Sequence, residues 1–242
     1  MSLFESFIDE ILKNKAKITN ASTGTDFEER VKAYLKKSGF SEMAVGTDDV
    51  FDRYVQEIKP VIQKKTGQTL ISNALYASTK NKMYKNCYRW QPYGQQDYPD
   101  FLIFTEHKVF SMESKYSTKN QSKPMWNSNL PKMDGIYLFG VYGKQDLTVF
   151  RGEDVLSDEE RKQLVAIWDK MDSAYKDWET DFIQRMSIGD FDNKYGFSPY
   201  VRKAYSQGKT YNEDAIIDFL KNKGRDALET SVKTFIRIND IP

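Results

Sequence analysis

The chain has 242 residues, of which 39% are hydrophobic, enough for one sizeable core or a core with a subdomain. Its 36 basic and 35 acidic residues give a net charge of +1, which excludes a global electrostatic signature of nucleic-acid binding but allows a local basic patch. A single cysteine, Cys87, excludes an intramolecular disulfide, and a single histidine, His107, excludes a zinc framework of cysteines and histidines.

Membrane and targeting signals are missing from the hydrophobic pattern. No apolar run approaches the length of a membrane span. The amphipathic segment 1–15 carries acids at Glu5, Asp9 and Glu10, unlike a signal or transit peptide. These features, with the single cysteine, predict a cytoplasmic protein with no membrane partner.

Apolar residues at helical spacing predict two helices in the N-terminal part, over segments 3–12 and 49–65. The first has a continuous apolar stripe, typical of a helix that packs against a core. Pro60 lies in the middle of the second segment, where the missing N–H and the ring should kink or divide the helix.

A further helix is predicted over segment 26–38. Thr25 or Asp26 suits its N-cap, and Gly39 is a C-terminal stop signal. Glu28 then falls in the first turn, where the helix dipole ordinarily favours an acid.

Between residues 80 and 90, basic side chains alternate with aromatic rings and a methionine. Cations that meet phosphates and rings that pack against sugars or bases would suit a nucleic-acid surface. A solvated face of an ordinary element explains the pattern equally well. The residues concerned are Lys80, Lys82, Met83, Tyr84, Lys85, Tyr88, Arg89 and Trp90.

Two apolar runs, 101–104 and 109–112, are separated by a short polar connection, which predicts a β-hairpin. Asp100 lies at the mouth of the first run. Glu113 and Lys115 continue the second run two residues apart, so strand alternation points both to one face. Because unpaired buried charge is costly, a divalent cation at this end of the hairpin would offset the cost.

Further strands and a long helix follow the hairpin. Segment 136–141 is an uninterrupted apolar run, typical of a strand buried on both faces, and 148–150 adds another. Ser157 and Glu160 form a capping-box pattern that opens a helix to about residue 186. Strands with helices on both sides in sequence indicate a mixed sheet flanked by helices.

One motif in this region has a family resemblance. Pro99-Asp100, followed after twelve residues by Glu113-Ser114-Lys115, resembles the PD-(D/E)xK motif. This motif defines a nuclease superfamily that includes most type II restriction endonucleases. The resemblance covers a short segment, and the predicted hairpin would bring its acids and its lysine together.

The resemblance implies an α/β protein with a restriction-endonuclease-like mixed central β-sheet flanked by α-helices. The whole chain, 1–242, would form one catalytic domain. Its core sheet would occupy about 98–150, between a helical N-terminal part at about 1–65 and a helical C-terminal part at about 157–242.

The resemblance also implies the chemistry. Asp100, Glu113 and the carbonyl of Ser114 would hold one or two Mg²⁺ ions, since this cation prefers oxygen ligands. Lys115 would orient or deprotonate the attacking water and stabilise developing charge. An early helix commonly supplies one more glutamate in this family, so Glu28 has two open interpretations, a catalytic residue or an acid favoured by the helix dipole.

The expected substrate is double-stranded DNA, hydrolysed at its phosphodiester bonds at specific sequences. Cutting both strands of a palindrome usually places one active site against each strand, which predicts a symmetric homodimer. Polar residues on both sides of the hairpin are the candidate DNA contacts. They are Gln95, Gln96, Lys119, Asn120, Lys123, Asn127, Ser128 and Asn129.

Two alternatives remain open from sequence. The protein could be another nuclease of the same superfamily, from repair or a mobile element, which the motif does not distinguish from a restriction enzyme. It could also be a non-catalytic DNA-binding module of the same fold, although all three motif residues are present.

Overall fold

The computed structural model describes residues 2–63, 75–76, 82–120, 123–126, 130–187, 220–221 and 224–240. The predictions for Lys80, Asn127, Ser128 and Asn129 lie outside these residues. The helices in the described part are α1 (Leu3–Lys13), α2 (Lys15–Thr19), α3 (Gly24–Lys37), α4 (Asp49–Ile62), α5 (Asp158–Ser187) and α6 (Arg225–Asn239).

The strands of the described part form one mixed sheet. They are β1 (Ser41–Glu42), β2 (Leu75–Tyr76), β3 (Cys87–Trp90), β4 (Phe101–Phe104), β5 (Val109–Ser117), β6 (Ile136–Val141) and β7 (Asp146–Arg151). The order across the sheet is β1-β3-β4-β5-β6-β7, and β2 pairs with β5 beside this path. β1 and β3, and likewise β5 and β6, run parallel, whereas the other pairs are antiparallel.

Helices cover both faces of the sheet. On one face α1, α3 and α6 bury side chains such as Phe7, Phe27 and Val232 against the strands. On the other face α4 buries Phe51 and Tyr54 in the same way. The predicted α/β architecture, a mixed sheet flanked by helices, is therefore confirmed.

Ion pairs join the two helices that come from opposite ends of the described chain. Lys233 of α6 lies 3.1 Å from the Asp9 carboxylate of α1, and Arg237 pairs with Glu5 one turn away on each helix. Val232 and Phe235 of α6 lie in the same apolar cluster as the α1 side chains. We call this contact the α1–α6 clasp.

Two local predictions need correction. The N-cap of α3 is Thr23, because its hydroxyl accepts the N–H of Asp26 at 3.0 Å, so the helix begins earlier than expected. Pro60 does not divide α4, which continues to Ile62. Proline removes only one intrahelical hydrogen bond, and the apolar face of α4 is buried against the sheet on both sides of this position.

The basic and aromatic stretch before β4 is only partly available to a nucleic acid. Tyr84, Tyr88 and Arg89 are buried, and the guanidinium of Arg89 pairs with the carboxylate of Asp52. A nucleic-acid role for these three residues is therefore wrong, since their side chains belong to the core. Lys82, Met83 and Lys85 are exposed.

The predicted capping box of α5 is present. Ser157 Oγ accepts the N–H of Glu160 at 3.3 Å, and Glu160 Oε2 accepts the N–H of Ser157 at 2.9 Å. Two apolar side chains of this helix, Ile167 and Met171, are about half exposed. None of the helices in the described residues is long and apolar enough to cross a membrane.

Candidate active site

The candidate site lies where β5 extends beyond the end of its neighbour, β4. β4 and β5 pair from Phe104↔Val109 to Phe101↔Met112, and β5 then continues to Ser117. Beyond Met112 the described strands leave one side of β5 unpaired, because β6 occupies only the other side. The chain just before β4 therefore lies beside exposed backbone groups of β5.

Asp100 occupies this unpaired side. Its Oδ2 atom accepts the backbone N–H of Ser114 at 2.7 Å, and its own N–H donates to Glu113 Oε2 at 3.1 Å. The two carboxylates are thus adjacent and half-buried. Because the N–H and C=O of one strand residue point to the same side, the Ser114 carbonyl also faces this space.

Lys115 completes the cluster on the same face of β5 as Glu113. Its Nζ donates to Glu113 Oε1 at 2.8 Å, with both side chains mostly buried. The same Nζ lies 5.6 Å from the centre of the Trp126 ring. The predicted alternation along this strand is therefore confirmed, and the structure brings Asp100, Glu113 and Lys115 together.

Glu28 joins the cluster from α3. The neighbouring Phe27 stacks on Tyr116 of β5, with ring centres 4.6 Å apart, which fixes this part of α3 over the sheet. Glu28 Oε2 accepts hydrogen bonds from Trp90 Nε1 at 2.8 Å and Gln91 Nε2 at 3.2 Å. The sequence indicates Trp90 only as part of the basic and aromatic stretch, and it gives no role to Gln91.

The expected first-turn position of Glu28 is wrong. Because α3 begins at Gly24, the acid in its first turn is Asp26, which pairs with Arg30. Glu28 lies beyond the first turn, and the dipole effect decays within that turn. Its half-buried carboxylate instead lies close enough to Asp100 for its charge to raise the pKa of Asp100, and it accepts hydrogen bonds from Trp90 and Gln91.

Burial and neighbouring charges change the pKa values of the acids and the lysine in the cluster. Burial raises the pKa of Asp100 well above its usual value, and the charges of Glu113 and Glu28 raise it further. Burial also raises the pKa of Glu28, although the donors Trp90 and Gln91 oppose this. For Lys115, burial acts to lower the pKa, but the charge and hydrogen bond of Glu113 outweigh it, so the net shift is upward.

The donor set suits a hard divalent cation with open coordination positions. Within the described residues, no group of three or more His, Cys, Asp or Glu side chains could hold a metal ion. Asp100 and Glu113 offer carboxylate oxygens, and Ser114 offers a carbonyl. Mg²⁺ usually binds through one or two carboxylates while keeping waters and substrate phosphates, so this partial set fits Mg²⁺.

The predicted DNA contacts lie on both sides of the cluster along the chain. Gln95 and Gln96 are exposed in the turn that leads to Asp100. Lys119 and Asn120 are exposed just after β5, and Lys123 is half-buried. No contact within the described residues tests their role, so it stays a prediction.

A sequence signal for Trp90 and Gln91 existed but is weak. Gln91 follows an aromatic segment and precedes Pro92 and Gly94, which are turn residues. Such a pattern indicates that a strand ends there. Its partner strand, and hence its distance from α3, depends on long-range pairing that local patterns do not contain.

Comparison with known proteins gives no relative. No protein-family model, no curated protein and no solved structure matches this chain.

Proposed function

We propose that this protein is a Mg²⁺-dependent endonuclease that hydrolyses phosphodiester bonds in double-stranded DNA at specific sequences, a type II restriction endonuclease of the PD-(D/E)xK superfamily. The observation that carries the proposal is the cluster at the unpaired side of β5. There Asp100 contacts both Glu113 and Ser114, and Lys115 contacts Glu113. The mixed sheet with helices on both faces supports a restriction-endonuclease-like fold.

Each residue of the cluster has a role in the proposed reaction. Asp100, Glu113 and the Ser114 carbonyl would hold Mg²⁺, which supplies charge stabilisation at the phosphate and activates water when bound. Lys115 is held beside Glu113 by its hydrogen bond, where a cationic amine can orient a water and stabilise negative charge on the phosphate. Its raised pKa keeps Lys115 charged at neutral pH, which favours the stabilising role over that of general base.

The burial of the cluster contributes to this chemistry. Attraction between an ammonium group and a phosphate is stronger where water is excluded. Lys115 and Glu113 expose only 22% and 14% of their side chains, so most bulk water is displaced from their pair. A DNA phosphate that approaches along β5 would therefore meet a preorganised amine.

The proposed partner is double-stranded DNA, contacted through Gln95, Gln96, Lys119, Asn120 and Lys123. We also propose that the enzyme acts as a homodimer, because two-fold symmetry would place one active site against each of the two antiparallel DNA strands. Light scattering of the protein with and without duplex DNA tests this part, and a monomer on DNA would remove it without affecting the catalytic assignment.

The proposal is tested by digesting plasmid and phage DNA with the purified protein at several Mg²⁺ concentrations. Discrete fragments that disappear on addition of a chelator are expected. A smear, or ladders without fixed ends, would favour a repair or mobile-element nuclease. Retarded but uncut DNA at every Mg²⁺ concentration would favour a non-catalytic DNA-binding module.

A matched pair of variants assigns the cleavage to the cluster. Asp100→Asn should abolish cutting because it removes a carboxylate at the unpaired side of β5. Asp97→Asn changes an acid in the same loop that pairs with Lys59 at 3.7 Å, and it should cut like the wild type. Wild-type cutting by Asp100→Asn, with circular dichroism showing both variants folded, would overturn the assignment.

A further inference from the structure

Two side chains at the end of β3 converge on one oxygen of Glu28. Trp90 is the last residue of β3, and Gln91 begins the turn that follows it. Their Nε1 and Nε2 atoms both donate to Glu28 Oε2, at 2.8 and 3.2 Å. In the described residues the other oxygen, Oε1, has no hydrogen-bond partner. The carboxylate is thus oriented through one oxygen, and the second is available to a ligand.

Gln91 also holds Asp100. Its backbone N–H donates to the carbonyl oxygen of Asp100 at 2.7 Å. Its φ of 42° lies in the left-handed region, which turns the chain at this point. One residue therefore bonds to Asp100 through its main chain and to Glu28 through its side chain, although these two acids come from different elements.

The ring of Trp90 is itself fixed from α3. The ammonium of Lys32 lies 4.1 Å from the centre of the ring, a cation–π distance. Lys32 is mostly buried and pairs with Glu29 at 3.0 Å and Glu42 at 3.1 Å, so its own position is constrained. The indole N–H therefore has little freedom to turn away from Glu28.

We propose that Trp90 and Gln91 are positioning residues that set Glu28 for cation binding at the Asp100–Glu113 pair. This inference rests on the proposed nuclease function, because it assigns a task within the same site. Glu28 Oε1 meets a water bound to the cation, and Gln91 holds the Glu28 carboxylate in fixed relation to Asp100. Outer partners of metal-binding side chains commonly change metal affinity by about tenfold or more when removed.

The cation affinity is measured by calorimetry with Ca²⁺ alone, without DNA or cleavage. Gln91→Leu removes the side-chain donor and keeps the size of the residue, and Trp90→Phe removes the indole N–H and keeps a ring. Each should weaken Ca²⁺ binding about tenfold. Gln145→Leu is the matched control, since Gln145 is an exposed glutamine with a similar φ of 48°, and it should bind like the wild type.

A double-mutant cycle separates positioning from general damage. Within a Glu28→Gln background, Gln91→Leu should cause no additional loss of Ca²⁺ affinity, because the group that Gln91 positions has already been changed. An additional tenfold loss would mean that Gln91 acts by another route and would overturn the proposal. Urea unfolding of each variant shows whether affinity and stability change together.

Nuclear magnetic resonance gives a direct readout. The chain has four tryptophans, and Trp90→Phe identifies the indole N–H signal of Trp90. This signal should shift on titration with Mg²⁺, whereas that of the exposed Trp178 on α5 should not. A residue with a purely structural role has no reason to respond to the cation.

The outcomes distinguish this proposal from the proposed function. If the wild type binds Ca²⁺ and both variants bind it equally well, the positioning role fails and the nuclease proposal stands. If the wild type binds neither Ca²⁺ nor Mg²⁺ and does not cut DNA, both fail. Weakened Ca²⁺ binding in both variants, with a shifted Trp90 signal, supports positioning even before a cleavage sequence has been found.

Discussion

The two halves of β5 have the same extended backbone but differ in burial and in the strands that pair with them. Val109–Met112 is fully buried and pairs along its whole length with β4, while β2 pairs with Val109 and Phe110 on the other side. Glu113–Ser117 is only partly buried and pairs with β6 alone in the described residues. The change occurs within one step, where β4 ends. The part of a strand that extends beyond its neighbour can therefore hold charged groups, whereas the part that pairs with the neighbour is buried and apolar.

This difference separates stability from chemistry along one element. In the paired half, side chains gain free energy by leaving water and filling space. In the outer half, where β4 no longer pairs with β5, Asp100 accepts the N–H of Ser114. We expect substitutions in the first half to act mainly on folding and those in the second to act mainly on cation binding and cleavage.

The largest effect is expected in the outer half. Lys115→Met keeps most of the length of the side chain and removes its charge, so cleavage should fall by a factor of about 10³ or more. Lys108→Met, in the turn of the same hairpin, should leave cleavage unchanged. Single-turnover cleavage of plasmid DNA measures both variants. Equal rates would contradict the proposal that the outer half of β5 carries the chemistry.

The next effect belongs to the paired half. Met112 is fully buried between the sheet and the α1 and α6 side chains. Met112→Ala should lower the free energy of unfolding by about 3 kcal/mol, through lost transfer energy and a cavity. Urea unfolding measures this loss, and Ca²⁺ affinity under native conditions should stay within about twofold of wild type. A large loss of affinity with little loss of stability would reverse the expected roles.

A smaller effect is expected at Gly140 of β6, which pairs with Tyr116 in the outer half. A Cβ at this position would lie 2.7 Å from the ring of Phe27, the residue through which α3 packs on this part of the sheet. Gly140→Ala should cost about 1–2 kcal/mol of unfolding free energy because the ring must shift. Since Phe27 precedes Glu28, Ca²⁺ affinity should also fall, and unchanged affinity would indicate that the ring of Phe27 shifts without moving Glu28.

The smallest effect concerns pH. The raised pKa of Asp100 means that the folded state binds its proton more tightly than the unfolded state. The contribution of Asp100 to the free energy of unfolding is therefore greatest at pH values below 3.8, the ordinary pKa of an aspartate. It falls as the pH rises through the pKa of Asp100 in the folded state. Lys115, with its pKa raised above 10.5, does not titrate in this range.

Asp100→Asn removes this titration. Without Mg²⁺, the variant should gain stability relative to wild type between pH 4 and pH 8, and urea unfolding across that range measures the difference. A difference that is constant with pH would mean that Asp100 is as easily ionised in the folded as in the unfolded protein, and the two halves of β5 would then be less distinct electrostatically.

Local patterns were sufficient for the hairpin and its charged end. Period-two alternation placed Glu113 and Lys115 on one face, and the turn at 105–108 paired the strands. They were insufficient where long-range contacts decide. Arg89 is basic yet buried, because Asp52, 37 positions away, pairs with it. The N-cap of α3 is ambiguous for a local reason, since Thr23 competes with two neighbouring residues of similar capping propensity.

The α1–α6 clasp has a consequence for how the chain folds. Arg237 and Glu5 are 232 positions apart, so their contact closes almost the largest loop that this chain can form. Such closure carries a high entropic cost and is slow compared with local helix formation. Because Phe4 of α1 also packs on Phe40 and Phe110, earlier elements can cover part of the apolar stripe of α1, and only the part that faces α6 stays uncovered until segment 225–239 has been made.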